Sequence, residues 1–538
     1  MARRWTWLIM GIAVSLYCSM QSDAFAQTAL SPENQAEFAK LLEVQNTQRS
    51  LSLESFMPPR AAETKLERLL LWSNIALEAT ALDHTPVEPG SGDDPRRFAE
   101  RIGPHRSSYA MAIVHIAMFE AVNSVYQKYE SYTGLRKSDP ALAASPVFLE
   151  MAIGQAAHDA LLAMYPYQKD RLDSQFSVYI ARLPKPPSGA GNATLKEKLE
   201  KELQAGEELG RDAAQSILQK RLNDGADRKE LAYGSGFVPN QCDVSPNPCP
   251  GVWSPDPDPE NKLTVALGAE WSKVRPFVIE SASQFRPLPP PALDSADYAR
   301  AFNEVAKVGA KNAEAAGDRR DYQTFEGYFW AYDGTPALCA PPRLYNQVAD
   351  TVALQQRMGD VADFSRYLAL VNTAMADAAI SAWEAKYHYQ LWRPVTAIRA
   401  ADRDGNPDTQ QDPNWLPLAA PATNARGPNF TPPFPAYPSG HAVFGGTVFG
   451  MLRHFWDDAT PFVLVSDEYN GLNYPVGGTE PRAKLPQSFV SFSHAEYANG
   501  RSRIWLGIHW QFDADAGIEQ GNKIADYVFA HAFQPVAN

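Results

Sequence analysis

Residues 361–394 read VADFSRYLALVNTAMADAAISAWEAKYHYQLWRP. Phe364, Leu368, Val371, Met375, Ala378 and Ala382 recur at alternating steps of four and three, which places them on one stripe of an α-helix. Pro394 disfavours helical backbone at Arg393, so the chain is expected to turn there. The same periodicity marks Thr64–Leu82, Ser107–Tyr129, Pro146–Tyr165, Thr194–Arg221, Ser295–Ala316, Ser439–Trp456 and Phe512–Ala532. Alternating strand patterns are nearly absent, no fixed-period repeat occurs, and loops rich in Pro, Gly, Asn and Asp separate the helical runs. The expected fold is all-α, with two packed helical bundles: an N-terminal helical region over residues 27–255 and a C-terminal bundle over residues 256–538.

At 538 residues the chain can bury a large core, and 45% hydrophobic with 21% charged residues is ordinary for a globular protein. A net charge of −13 argues against nucleic acid or an anionic membrane as partner. Arg3 and Arg4, the apolar run Trp5–Cys18 and the small-residue site Ala24-Phe25-Ala26 read as a signal peptide over residues 1–26, so export to the periplasm or medium is expected. No later apolar run is long enough to predict a membrane span. An oxidising compartment makes a Cys242–Cys249 disulfide the expected pairing, and leaves Cys339 as a buried thiol with no histidine near it in sequence. The 43 prolines imply long ordered loops, notably 239–259 and 402–438.

The 361–394 stretch ends in K-x6-RP, Lys386 to Pro394, and two further motifs follow it in order. Pro438-Ser439-Gly440-His441 opens an apolar helical run, so Ser439 reads as an N-cap. Gly440 lets a ligand approach the backbone, and the free N–H groups of the first turn favour an anion. Ser502–Asp513 reads SRIWLGIHWQFD, that is SR-x5-H-x3-D. If this stretch is helical, Asp513 lies one turn from His509 and orients its imidazole. Taken singly, each motif has a plainer reading: a solvated basic helix end, an ordinary cap, a core histidine. Taken together they supply three cations (Lys386, Arg393, Arg503), a donor-rich helix start and two imidazoles, one able to bond a central atom and one able to move protons. That set suits one tetrahedral oxyanion, phosphate or its isostere vanadate.

These motifs make the chain resemble the superfamily of type 2 phosphatidic-acid phosphatases and vanadium-dependent haloperoxidases. The run FTPPFPAYPSGH at 430–441 and Trp383, one turn before Lys386, resemble the chloroperoxidase-like haloperoxidase branch. The resemblance implies that His509 bonds vanadium, that Lys386, Arg393, Ser439, Gly440 and Arg503 hold the vanadate oxygens, and that His441 is the acid–base. It further implies that Lys386 activates hydrogen peroxide, that Trp383 and Phe434 wall a halide pocket, and that an acidic residue upstream pairs with Arg503; Asp333 is the candidate. The implied reaction oxidises halide with hydrogen peroxide to hypohalous acid, with a small organic molecule as a further acceptor. The alternative is an exported acid phosphatase working through a phosphohistidine at His509, with phosphate in the same site and His441 protonating the leaving oxygen. His115 and His158 read as satisfied core residues, and His388 and His494 as neighbours of the motifs. No zinc-spaced Cys/His cluster, P-loop or GxSxG elbow occurs.

Overall fold

The computed structural model describes residues 30–41, 65–87, 96–138, 142, 145–184, 193–239 and 249–536. The expected signal peptide lies outside the described residues, as does Cys242; Cys249 is disulfide-bonded. Helices dominate: α1 (Pro32–Leu41), α2 (Lys65–Asp83), α3 (Pro104–Tyr126), α4 (Pro146–Met164), α5 (Lys169–Arg182), α6 (Ala193–Lys220), α7 (Ala296–Val308), α8 (Asp321–Phe329), α9 (Pro341–Gln355), α10 (Val361–Tyr389), α11 (Pro394–Arg399), α12 (Gly440–Arg453), α13 (Phe492–Trp505) and α14 (Gln511–His531). Two short antiparallel pairs, β1 (Leu231–Ala232) with β2 (Val265–Ala266) and β3 (Phe462–Leu464) with β4 (Gln487–Phe489), pin loops between them.

α10 is the spine. The Asp360 side chain caps its first turn by accepting the Asp363 N–H, and Gln390 ends it in the left-handed region (φ 51°), returning its N–H to the Lys386 carbonyl. Nearly all of α10 is buried, between α3 on one side and the α12–α14 pair on the other. α3 and α4 are long and apolar enough to cross a membrane, but 100% and 89% of their most apolar windows are buried inside the protein, as befits core helices. One apolar cluster runs through both halves, from Leu69 and Ile113 through Leu368 to Phe444 and Ile524.

The expected helix over 295–316 stops at Val308. Gly309 follows as C-cap, and the Arg319 guanidinium folds back to donate to the Val308 and Ala310 carbonyls at 2.8 Å each, which closes the end. Likewise the run expected to reach Trp456 ends at Arg453. The stretch from Ser502 to Asp513 is not one helix. α13 ends at Trp505, Gly507 turns the chain with φ 74°, and α14 begins after Trp510. The helices α1, α5, α8, α9, α11 and α13 lie outside the expected helical runs.

α12 and α14, which begin at the PSGH turn and just after His509, pack at backbone contact. A Cβ on Gly521 would stand 2.2 Å from the Val443 carbonyl oxygen, and one on Gly446 would stand 2.5 Å from that of Ile518. Glycine is needed here for close approach.

Candidate active site

The three motifs converge where α10, α12, α13 and α14 meet. Ser439, in extended backbone (φ −67°, ψ 122°), is the N-cap of α12, and its own N–H donates to the Asp513 carbonyl at 2.9 Å. That bond ties the PSGH turn directly to the first turn of α14. The Ser439 hydroxyl caps nothing and is buried without a partner. A Cβ on Gly440 would meet no atom nearer than the Trp383 ring at 3.7 Å, so this position opens onto the pocket.

Arg393 is N-cap of α11, with Pro394 at the first helical position. Its guanidinium donates to Phe434 O (2.9 Å), Ile508 O (2.9 Å) and His509 Nε2 (3.1 Å), while Nη2 has no partner. Arg503 gives one nitrogen to Asp333 Oδ1 at 2.6 Å, and its Nε and Nη1 are buried and unpaired. Four donors at three side chains thus lack an acceptor around one point. Each buried unpaired donor costs about 1–3 kcal/mol, so the arrangement stands in need of an anion. The donor set fits a tetrahedral oxyanion.

His509 Nδ1 lies 2.8 Å from Asp513 Oδ2, which also accepts the Trp510 N–H at 3.1 Å. The pairing arises from Asp513 sitting in the first turn of α14 and reaching back across its start, not from one helical turn shared with His509. Because the carboxylate takes the Nδ1–H, the Nε2 lone pair faces Arg393 and the site. Burial, then repulsion from Arg393, Lys386 and Arg503, holds the imidazole well below its ordinary range. His441 is also held well below, by burial and then by Arg503. Its Nε2 is bonded to the Ala331 carbonyl, a donor role that leaves Nδ1 as the atom able to accept a proton.

Lys386 is fully buried and gives its three N–H bonds to the carbonyls of Pro435 (2.9 Å), Ala436 (2.9 Å) and Pro438 (2.5 Å). Its ammonium is held well below its usual value by burial and then by Arg393. Asp333 is pushed up by burial despite Arg503, and its second oxygen is unpaired. Trp383 and Phe434 stand 5.1 Å apart, with the Lys386 ammonium 5.9 and 5.1 Å from their rings. The pocket is lined by these aromatics, Phe430, Phe444, Pro432 and Pro433, with Asp333, His441, Arg503 and His509 at its polar end.

Sequence reasoning missed two participants. The Ala331 carbonyl on His441 leaves no side-chain trace. His84 lines the pocket from the N-terminal half. Cys339 is a buried free thiol, as expected, and although no histidine is near it in sequence the fold brings His84 Nδ1 within 3.3 Å of its sulfur. His84 Nε2 meets the Gly103 N–H at 2.9 Å, and its Nδ1 lies 2.8 Å from Thr80 O. His115 is satisfied inside the core by Met111 O and the Ser73 hydroxyl, and His158 by Asp159 and Asp173; His388 and His494 are exposed. Among the described residues no group of His, Cys, Asp and Glu has metal-holding geometry.

Known proteins resemble this chain in sequence and fold. Residues 366–538 match the family described as the VCPO second helical-bundle domain. The chain is 29% identical over 515 residues to vanadium chloroperoxidase of Curvularia inaequalis, across 83% of this chain and 79% of that protein. Among solved structures, the first bacterial vanadium-dependent iodoperoxidase superposes with a TM-score of 0.66 at 23% identity, over 88% of this chain and 98% of that one. The apo-type bacterial vanadium-dependent chloroperoxidase superposes at 0.58 and 17%, over 80% and 94%. The fold is that of the vanadium haloperoxidases, and the chain resembles their chloroperoxidase-like branch.

Proposed function

We propose that this protein is a vanadate-dependent haloperoxidase, which oxidises halide with hydrogen peroxide to hypohalous acid. The observation that carries the reading is the cluster of buried, unpaired donors on Ser439, Arg393 and Arg503 around His509 Nε2, which Asp513 leaves as an acceptor and whose lone pair meets an Arg393 N–H. His509 would bond vanadium through Nε2, with Arg393, Arg503, Ser439 and the Gly440 backbone on the oxygens. Vanadate, when bound, supplies Lewis-acid activation of peroxide toward halide. The chain supplies the rest. Asp513 fixes the His509 tautomer. The Ala331 carbonyl fixes that of His441, so that Nδ1 takes the peroxide proton and returns it to the leaving oxygen. Burial first, and then repulsion from the cations, holds both imidazoles low; an anion among Lys386, Arg393 and Arg503 would offset the second of these. Lys386 reaches the oxyanion only by sharing or releasing one of its three carbonyls. Trp383 and Phe434 present an apolar wall that favours a weakly hydrated halide over water.

A phosphatase would use the same donors and the same His509 nitrogen. The apolar wall and the named relatives support the haloperoxidase reading over it. Role separation tests the proposal by calorimetric titration with orthovanadate alongside turnover. His509→Ala should abolish tight binding, whereas His441→Ala should still bind yet lose roughly 10²–10⁴-fold in turnover. Equal vanadate affinity in the two variants would refute the assignment.

A further inference from the structure

Trp383 is held from behind by a buried polar network drawn from the N-terminal half of the chain. Its indole N–H donates to the Leu267 carbonyl at 3.0 Å, which also accepts the Tyr387 hydroxyl at 2.9 Å. The next residue, Gly268 (φ 81°), runs so close under the indole that a Cβ would stand 2.0 Å from it. Glu230 clasps this turn. One carboxylate oxygen accepts the Gly268 N–H, and the other accepts Arg106 Nε at 2.8 Å and His105 Nε2 at 3.0 Å. His105 in turn packs its ring 5.2 Å from Trp383, on a tilt of 38°, while Phe434 stands 5.1 Å away. Arg106 is itself anchored on the Ala226 carbonyl at 2.8 Å and lies over Trp271. Burial pushes the Glu230 carboxyl up, but Arg106, His105 and the Gly268 N–H outweigh it and pull it down to about 2, so it is ionised at every working pH.

We propose that Glu230 is a positioning residue for the halide wall, fixing Trp383 through the Leu267–Gly268 turn and through His105. Glu230 touches neither peroxide, halide nor oxyanion; it acts through the indole. A neutral amide at this position has to turn an N–H toward one of three donors. The turn and the His105 ring then loosen together, and the indole face shifts against Phe434 and the Lys386 ammonium.

The proposal rests on the haloperoxidase reading, and its test separates the two. In the vanadate-loaded protein, Glu230→Gln should raise the KM for bromide about threefold or more, within the range of couplings between contacting residues, with kcat and vanadate affinity held within about twofold. In a Trp383→Phe background the same change should move the bromide KM by less than about twofold, because the group it acts through is gone. A second readout needs no turnover. In vanadate-free protein, iodide quenching of tryptophan emission is measured as the difference between wild type and Trp383→Phe, and Glu230→Gln should shrink that difference. Should Glu230→Gln fail to fold, Glu230→Asp is read in the same way, since it keeps the charge near Arg106 but draws the carboxylate back from Gly268. An unchanged bromide KM, or an equal shift in the Trp383→Phe background, overturns the proposal. If the wild type oxidises no halide, the underlying reading fails, and the quenching difference alone decides: its persistence in Glu230→Gln overturns the positioning role, and its loss upholds it.

Discussion

Arg503 engages one of its guanidinium nitrogens with Asp333 and leaves two buried without a partner. A lysine can keep the ion pair but cannot also offer a planar fork to two oxygens. Arg503→Lys should therefore weaken orthovanadate or phosphate binding about 10–100-fold, at roughly 1.5–3 kcal/mol for charge-assisted hydrogen bonds, with little change in melting temperature. Calorimetric titration checks this, and wild-type affinity would count against direct contact. Asp350 shows the opposite economy of a buried charge. Among the described residues its hydrogen-bond partner is the Ser73 hydroxyl, at 3.4 Å, and burial raises its carboxyl from 3.8 to about 7. The folded chain keeps this proton where the unfolded chain gives it up. Stability is thus fully present below 3.8 and lost as pH rises through about 7. Asp350→Asn should remove that loss, stabilising by about 1–3 kcal/mol at pH 8 and far less at pH 4, as read from denaturant unfolding at the two pH values. At this scale the sequence names the motif side chains because their chemistry is in their identity. It does not name the Ala331 or Leu267 carbonyls, since every residue has one and only the fold selects which is used.

Among elements, the α12–α14 contact sets the distance between the PSGH turn and His509. Its glycines admit backbone to backbone, and the Ser439 N–H to Asp513 carbonyl bond locks the two helix starts in register. Gly521→Ala should force the helices apart, at about 1–3 kcal/mol for overpacking, and oxyanion affinity should fall with stability. Thermal unfolding with and without saturating vanadate checks this; an unshifted melting temperature would mean the helices have slack. The sequence marks α10 and α12 well, because their stripes are long and apolar. It hides α13 behind Asn499 and Gly500, where burial against neighbours rather than local pattern makes the helix. The 502–513 stretch shows the same limit. Its spacing brings Asp513 to His509, but a helix start rather than a helix interior makes the contact.

At the scale of the molecule, an acidic chain of net charge −13 gathers Lys386, Arg393 and Arg503 around one buried point. Asp333 pairs with Arg503, and the positive charge that remains is unfavourable alone and is relieved by an anion. The same core cluster that joins the two halves brings Glu230, His105 and His84 from early in the chain against Trp383 and the pocket. Composition and helical periodicity foretell an all-α body. Which early residues back the late motifs is not written in spacing, because those contacts join residues more than a hundred positions apart. One measurement bears most directly on the central claim: peroxide-dependent oxidation of bromide or iodide by the vanadate-free protein, followed as orthovanadate is added in the presence and absence of phosphate. The account predicts activity that saturates near one vanadate per chain, is inhibited competitively by phosphate and is absent in His509→Ala. Halide oxidation indifferent to vanadate, or brisk phosphomonoester hydrolysis with no halide oxidation at any vanadate concentration, would contradict it.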